Sequence, residues 1–240
     1  MGNPQHYSVE LPCRCLALIN GLWHEASKLH GEENPELGPL TSTFLVSMSM
    51  PILTIPLERV ERQIGKAEDQ AYADDRHLGP KAADAFVDVI RKGKLGEAAF
   101  YKEGAWRFVS VRKGPFPNIA SGLPEDLAEA LSGDDAVEAA RAMEASQWVS
   151  ILRNAMAHGG IAYLDETGRS SHGTPAKMFA FVSGKYAKPK CQHAEANCRF
   201  GMGKLEGLNI LRISETDYRQ FLEAWVAWLG ATKIAKMPAA

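Results

Sequence analysis

Three polar side chains that could act together lie in the segment SILRNAMAHGG, residues 150 to 160. Arg153, Asn154 and His158 stand there among apolar residues and alanine. An imidazole can accept or donate a proton near neutral pH, and a guanidinium can hold an anion through two parallel N–H groups. The types and spacing of these residues are therefore compatible with proton transfer beside a bound anion.

A helix end offers a simpler explanation for part of this segment. Asn154 and His158 are four residues apart and share a helix face, whereas the offset from Arg153 to His158 turns about 140° around the axis. A histidine in the last turn interacts favourably with the helix dipole, and Gly159 and Gly160 can end the helix. Capping therefore accounts for the histidine and the glycines but leaves Arg153 and Asn154 in need of partners. We expect those partners in a cleft lined by helix ends, particularly at a dimer interface.

The elements that must position these residues follow from apolar periodicity. Helices are predicted from Leu11 to about His30 and from Thr41 or Ser42 to about Gly65, where Pro51 and Pro56 should kink or divide the second helix. Shorter helices are predicted in ADAFVDVIRKG and PEDLAEALSG. One long helix, AVEAARAMEASQWVSILRNAMAH, should be capped by Asp134 or Asp135 and carry the polar segment at its end.

Strand patterns concentrate in the second half of the chain. AWRFVSVRKGP can form a short strand, and IAYLD, KMFAFVS and LNILRIS are three further strands, followed by a last helix that Ser214 and Asp217 open. No repeat or linker divides the sequence. The expected fold is mainly α, with a small C-terminal antiparallel β element, in a single domain over residues 1–240.

The run LRNAMAHGG resembles the motif of the HEPN superfamily (higher eukaryotes and prokaryotes nucleotide-binding), in which an Arg is followed by a polar residue, commonly Asn, and then by a His. LRNAMAHGGIAYLDETG is similar to bacterial members whose motif helix passes into a β-hairpin. This resemblance implies a HEPN-like helical bundle with its β element at about residues 161–213. It also implies a homodimer that brings two copies of Arg153 and His158 together across a cleft.

Many members of that superfamily are metal-independent endoribonucleases, often toxins or antiphage effectors. The resemblance therefore implies that His158 moves a proton as the RNA 2′-hydroxyl attacks the adjacent phosphate, while Arg153 binds the phosphate oxygens and Asn154 orients the phosphate. It also implies an RNA or nucleotide substrate and an antitoxin as a candidate partner. In members modified by a partner nucleotidyltransferase a Tyr lies two residues after the His. Gly160 occupies that position here, so we do not expect that modification.

Two other classes of function remain open. The same cleft could hold RNA or a nucleotide without cutting it, with Arg153 as a phosphate clamp and His158 as a helix cap. Alternatively, Arg153 could pair with an acid across the interface of a purely structural dimer.

Charge is unevenly distributed along the chain, although the formal net charge is only −2. Residues 169–204 hold seven Lys and Arg residues against one Glu. Such a segment can steer a polyanion, and we expect Lys185, Lys188 and Lys190 to contact the substrate; a solvated surface loop would have the same composition. The low net charge favours a small or structured RNA, or a nucleotide, over long RNA.

The sequence gives only weak indications of metal binding, cofactor binding or membrane contact. Cys191, His193 and Cys198 are zinc-type ligands, to which Cys13 and Cys15 could add, but their spacing matches no common zinc finger. We therefore expect free thiols, no metal and no cofactor. The sequence has no apolar run that could cross a bilayer, and its first residues lack the order of a signal peptide, so we expect a cytoplasmic protein without membrane contact.

Overall fold

The structure is a computed structural model that describes residues 7–29, 40–63, 84–112, 114–119, 121–171, 175–187 and 203–232, without the side chains of residues 61–63. It begins with two long helices, α1 (Tyr7–Lys28) and α2 (Thr41–Gln63), which pack against each other. Both helices were predicted from the apolar periodicity. Leu22 and Leu29 continue this apolar spacing but are 45% and 63% exposed.

Helix α2 contains Pro51 and Pro56 without being divided by them. In an α-helix the carbonyl of Ile52 would accept the amide of residue 56, but proline has no N–H. The indole Nε1 of Trp225 donates to the Ile52 carbonyl instead, at 3.0 Å. A side chain from the C-terminal helix thus replaces the bond that Pro56 cannot make, and the helix continues.

The middle of the chain is built from short helices. Residues 84–92 are helical and end in the π-helix α3 (Val87–Lys92), and a 3-10 turn follows at Leu95–Glu97. The next three helices are α4 (Glu125–Ala130), α5 (Asp134–Ala142) and α6 (Ala145–His158).

The single long helix that we expected before the polar segment is wrong, because the chain breaks between α5 and α6. Met143 and Glu144 are extended. The Leu95 amide donates to the Met143 carbonyl at 2.9 Å, and the Ala145 amide donates to the Gly93 carbonyl at 3.0 Å. These tertiary bonds outweigh the local helical preference. The predicted cap also shifts, since Gly133 is the N-cap of α5 and Asp134 and Asp135 lie in its first turn.

Within the described residues, four strands form one antiparallel sheet in the order β1-β4-β3-β2. They are β1 (Arg107–Val111), β2 (Ile161–Leu164), β3 (Met178–Tyr186) and β4 (Leu205–Ser214). Helix α7 (Glu215–Ala231) follows β4 directly, and the hydroxyl of its N-cap Ser214 accepts the amide of Asp217 at 3.0 Å, as the sequence predicted.

The expectation of a mainly α bundle with a small C-terminal β element is wrong. The fold is mixed α and β, because β1 joins the later strands although α4, α5 and α6 come between them in the chain. The sheet is also a central layer with both faces covered. One face packs on the aromatic core beneath α6 and α7, and the other packs on Leu123, Leu127 and Leu131 in and around α4.

Arg212 is a buried cation on the α4 side of the sheet. It is 4% exposed, and its Nη2 donates to the Leu131 carbonyl at 2.9 Å and to Ser132 Oγ at 3.1 Å. Burial, with a smaller contribution from Arg107, lowers the pKa of Arg212 to about 10. The carbonyls beyond the C-terminal end of α4 carry the negative end of the helix dipole, so they stabilise this cation and tie α4 to β4.

We predict that Trp225→Phe destabilises the protein by about 1–3 kcal/mol, because it leaves the buried Ile52 carbonyl without its donor. The same substitution in a Pro56→Ala background should cost about 1 kcal/mol less, since an alanine amide can make the missing helix bond. Urea unfolding of the four proteins measures the difference. Equal costs of Trp225→Phe in both backgrounds would contradict this account of α2.

Candidate functional site

Helix α6 carries the predicted site residues and is fixed by its buried face. Trp148 is fully buried, and its ring lies 5.5 Å from Phe100 and 5.4 Å from Phe221 between centroids. At the other end of the helix, Gly159 has a left-handed φ of 70°, as expected for a helix stop. A Cβ on Gly160 would lie 2.3 Å from the Val182 carbonyl oxygen, so this second glycine lets the chain close directly onto β3.

Arg153 contacts an acid in its own chain. Its Nη1 donates to Oε1 of Glu58 at 2.9 Å, and the two side chains are 35% and 36% exposed. Water and salt screen a pair at this exposure, so it adds little to stability. Its main effect is to hold the guanidinium toward the end of α2.

Asn154 contacts the sheet. Its Nδ2 donates to Ser183 Oγ at 3.2 Å, and Ser183 is buried. The pairing of the strands extends this contact into a row of polar side chains. Ser183 on β3 lies opposite Asn209 on β4, which in turn lies opposite Ser110 on β1. Ser110 Oγ donates to Asn209 Oδ1 at 3.0 Å. A polar row therefore crosses three strands on the face where α6 packs.

His158 is exposed at the last residue of α6. It lies one turn beyond Asn154 on the same face and about 7.5 Å along the axis from Arg153. Since Arg153 and His158 leave the helix in different directions, one copy of the chain does not bring their side chains together.

Of the three lysines predicted to bind substrate, Lys185 is described. It is exposed on β3, two residues beyond Ser183 and therefore on the same face of the sheet. Its partner in the register is Gly207, and a Cβ on Gly207 would lie 3.6 Å from Cδ of Arg112. Two basic residues thus follow the polar row on this face. Lys188 and Lys190 lie outside the described residues.

A cavity of about 800 Å³ lies against the first residues after His158. We call it the β2 cavity. Three segments of the chain line it. They are residues 159–163, residues 118, 119, 121 and 122, and residues 170 and 171. Sequence reasoning missed it, because its polar side chains come from two loops whose meeting leaves no local signal.

This chain matches no family model, no curated protein and no solved structure.

Sequence reasoning also missed Glu58 and Ser183, the two partners that hold the site. Ser183 was visible as a polar residue ending the apolar run KMFAFVS, whereas nothing in PILTIPLERVERQ distinguishes Glu58 from the other surface acids.

The other candidate groups are placed only in part. Cys13 is exposed and Cys15 is buried, while Cys191, His193 and Cys198 lie outside the described residues. Within the described ranges, no three His, Cys, Asp or Glu side chains come close enough to hold a metal ion. Among those ranges there is also no helix with the length and apolar character needed to span a membrane.

We predict a coupling free energy of about 0.2–1 kcal/mol between Glu58 and Arg153, the range for exposed ion pairs. The measurement is a double-mutant cycle of Glu58→Gln and Arg153→Gln by urea unfolding at low salt. Because the pair is screened, the coupling should shrink at about 1 M salt. A coupling that is absent at low salt, or independent of salt, would contradict the ion pair as the interaction that positions Arg153.

Proposed function

We propose that this protein is a metal-independent endoribonuclease that acts as a homodimer, with Arg153, Asn154 and His158 in its active site. The observation that carries the proposal is the exposed His158 at the end of a helix whose preceding turn carries the partly exposed Arg153, paired with Glu58. The resemblance of LRNAMAHGG to the HEPN motif supports the same assignment. The mixed α and β fold differs from the helical bundle that this resemblance implies, so the proposal depends on the motif and its surroundings.

The proposed reaction transfers a phosphoryl group within the substrate. His158 accepts the proton of the RNA 2′-hydroxyl as its oxygen bonds to the adjacent phosphorus. The bond from phosphorus to the 5′-oxygen breaks, and the leaving oxygen takes a proton from His158 of the second copy. The products are a 2′,3′-cyclic phosphate and a 5′-hydroxyl end. Arg153 stabilises the charge that builds on the phosphate oxygens.

The geometry of α6 supports a dimer as part of this proposal. Within one chain Arg153 and His158 point in different directions around the helix, and an acid and a base are both needed. A second copy across a two-fold axis would supply the other histidine.

A second candidate function is binding of RNA or a nucleotide without cleavage. It requires only that Arg153 exchange Glu58, at 2.9 Å, for a phosphate oxygen, and it needs neither a general acid nor a general base. In this case uncut RNA should bind to the protein, and Arg153→Ala should weaken its affinity in a salt-dependent manner.

The test is cleavage of labelled RNA in EDTA by the unaltered protein, by His158→Ala and by His24→Ala. His24 is an exposed histidine on α1 and is the matched control. We expect cleavage to cyclic-phosphate ends, a loss of about 100-fold or more in kcat for His158→Ala, and unchanged activity for His24→Ala.

Three outcomes would refute the nuclease. They are absence of cleavage in the unaltered protein, equal rates in His158→Ala and the unaltered protein, and equal losses in both histidine variants. Absence of cleavage together with Arg153-dependent binding of intact RNA would favour the second candidate.

A further inference from the structure

The β2 cavity has the chemistry of a site for a neutral, hydrogen-bonding ligand. Its polar side chains are the amide of Asn118 and the hydroxyls of Ser121, Ser170 and Ser171, and none of the described lining residues is charged. Gly159 at the C-terminal end of α6 also lines it, so the negative end of a helix dipole faces this space. An anion such as phosphate is disfavoured there.

The backbone of β2 adds a donor and an acceptor. The Val182 amide donates to the Gly160 carbonyl at 2.7 Å, so the polar groups of residue 160 and of alternate residues after it point toward β3. The backbone N–H and C=O groups of Ile161 and Tyr163 point to the opposite edge of β2, where the cavity lies. The Tyr163 carbonyl accepts the Ser171 amide at 3.2 Å. That contact leaves the edge too short for a peptide strand to pair along it, and it favours a small ligand.

We infer that the β2 cavity binds a nucleoside, with the base against the Ile161 edge and the side chains of Ser121 and Ser171. Single-stranded RNA is commonly read in this way, with an unstacked base hydrogen-bonded along its edge. The cavity volume of about 800 Å³ lies in the usual range of small-molecule sites, about 300–1,000 Å³.

The inference rests on the proposed function for its biological meaning. The cavity begins at the residue after His158, so a base held there would lie next to the end of α6 that carries the imidazole. The cavity would then determine which nucleotide precedes the cleaved bond, while Arg153 and His158 act on the phosphate.

Binding is tested with adenosine, guanosine, cytidine and uridine, titrated one at a time into the full-length protein and followed by calorimetry. Nucleosides carry no phosphate, so Arg153 contributes nothing to this readout. Ser121→Trp fills the cavity from an exposed loop position, and Ser121→Ala removes one hydroxyl without adding bulk. The control is Ser146→Trp, at an exposed serine on α6 about 18 Å from His158 along the helix.

We expect at least one nucleoside to bind saturably, with affinity about tenfold or more weaker in Ser121→Trp, about threefold weaker in Ser121→Ala and unchanged in Ser146→Trp. Inorganic phosphate should not displace it. The inference is overturned if none of the four nucleosides binds, if the Ser121 variants bind like the control, or if phosphate competes. If Ser121→Trp does not give the circular dichroism spectrum of the folded protein, Ser121→Ala decides.

Failure of this inference can be distinguished from failure of the nuclease. Cleavage by Ser121→Trp with unchanged rate and unchanged base preference would remove the nucleoside site and leave the nuclease standing. Ser121-dependent nucleoside binding by a protein that does not cut RNA would refute the nuclease and support the nucleoside site.

Discussion

The burial of Trp148 is the interaction on which the rest of the structure depends. Its ring stacks on Phe100 and meets Trp106 and Phe221 edge-on, with centroids 5.4 to 5.5 Å away. A buried aromatic side chain of this size removes about 150–250 Å² from water, and the paired rings add packing energy that depends on geometry. Because α6 is held at this point, its last two turns take their direction from the core. The candidate side chains at its end are positioned by apolar packing more than by their own polar contacts.

The site lies where that apolar packing ends. Along the face of the sheet beneath α6, Phe181 and Leu211 give way to Ser183 and Asn209 in the next row of the register, and Lys185 follows in the row after that. Asn154 on α6 and Glu58 on α2 add polar side chains at the same boundary. Polar groups meet polar groups at the boundary with solvent, so a charged ligand could approach α6 there without burying its charge in hydrocarbon.

Local patterns predicted most of the elements, and tertiary contacts decided what the patterns could not. The four strands, the glycine stop of α6 and the Ser214 cap each have a signature within a few residues. The break at Met143 has none, because Gly93 and Leu95 create it from about fifty residues earlier in the chain. Pairing of β1 with β4 is equally nonlocal, which is why a central sheet was mistaken for a small appendage. At the site, the sequence indicated Arg153, Asn154 and His158, but their partners and the β2 cavity come from segments that meet only in the folded chain.

The strand order has a consequence for how the protein forms on the ribosome. β4 lies between β1 and β3, yet it is the last of the four described strands to be synthesised, and α7, which supplies Trp225 and Phe221, follows it. Until these residues have left the exit tunnel, β1 lacks its neighbour in the sheet and the indole rings of Trp106 and Trp148 lack part of their surroundings. The nascent polypeptide must therefore carry exposed aromatic surface until β4 and α7 have emerged, and such surface is what chaperones bind.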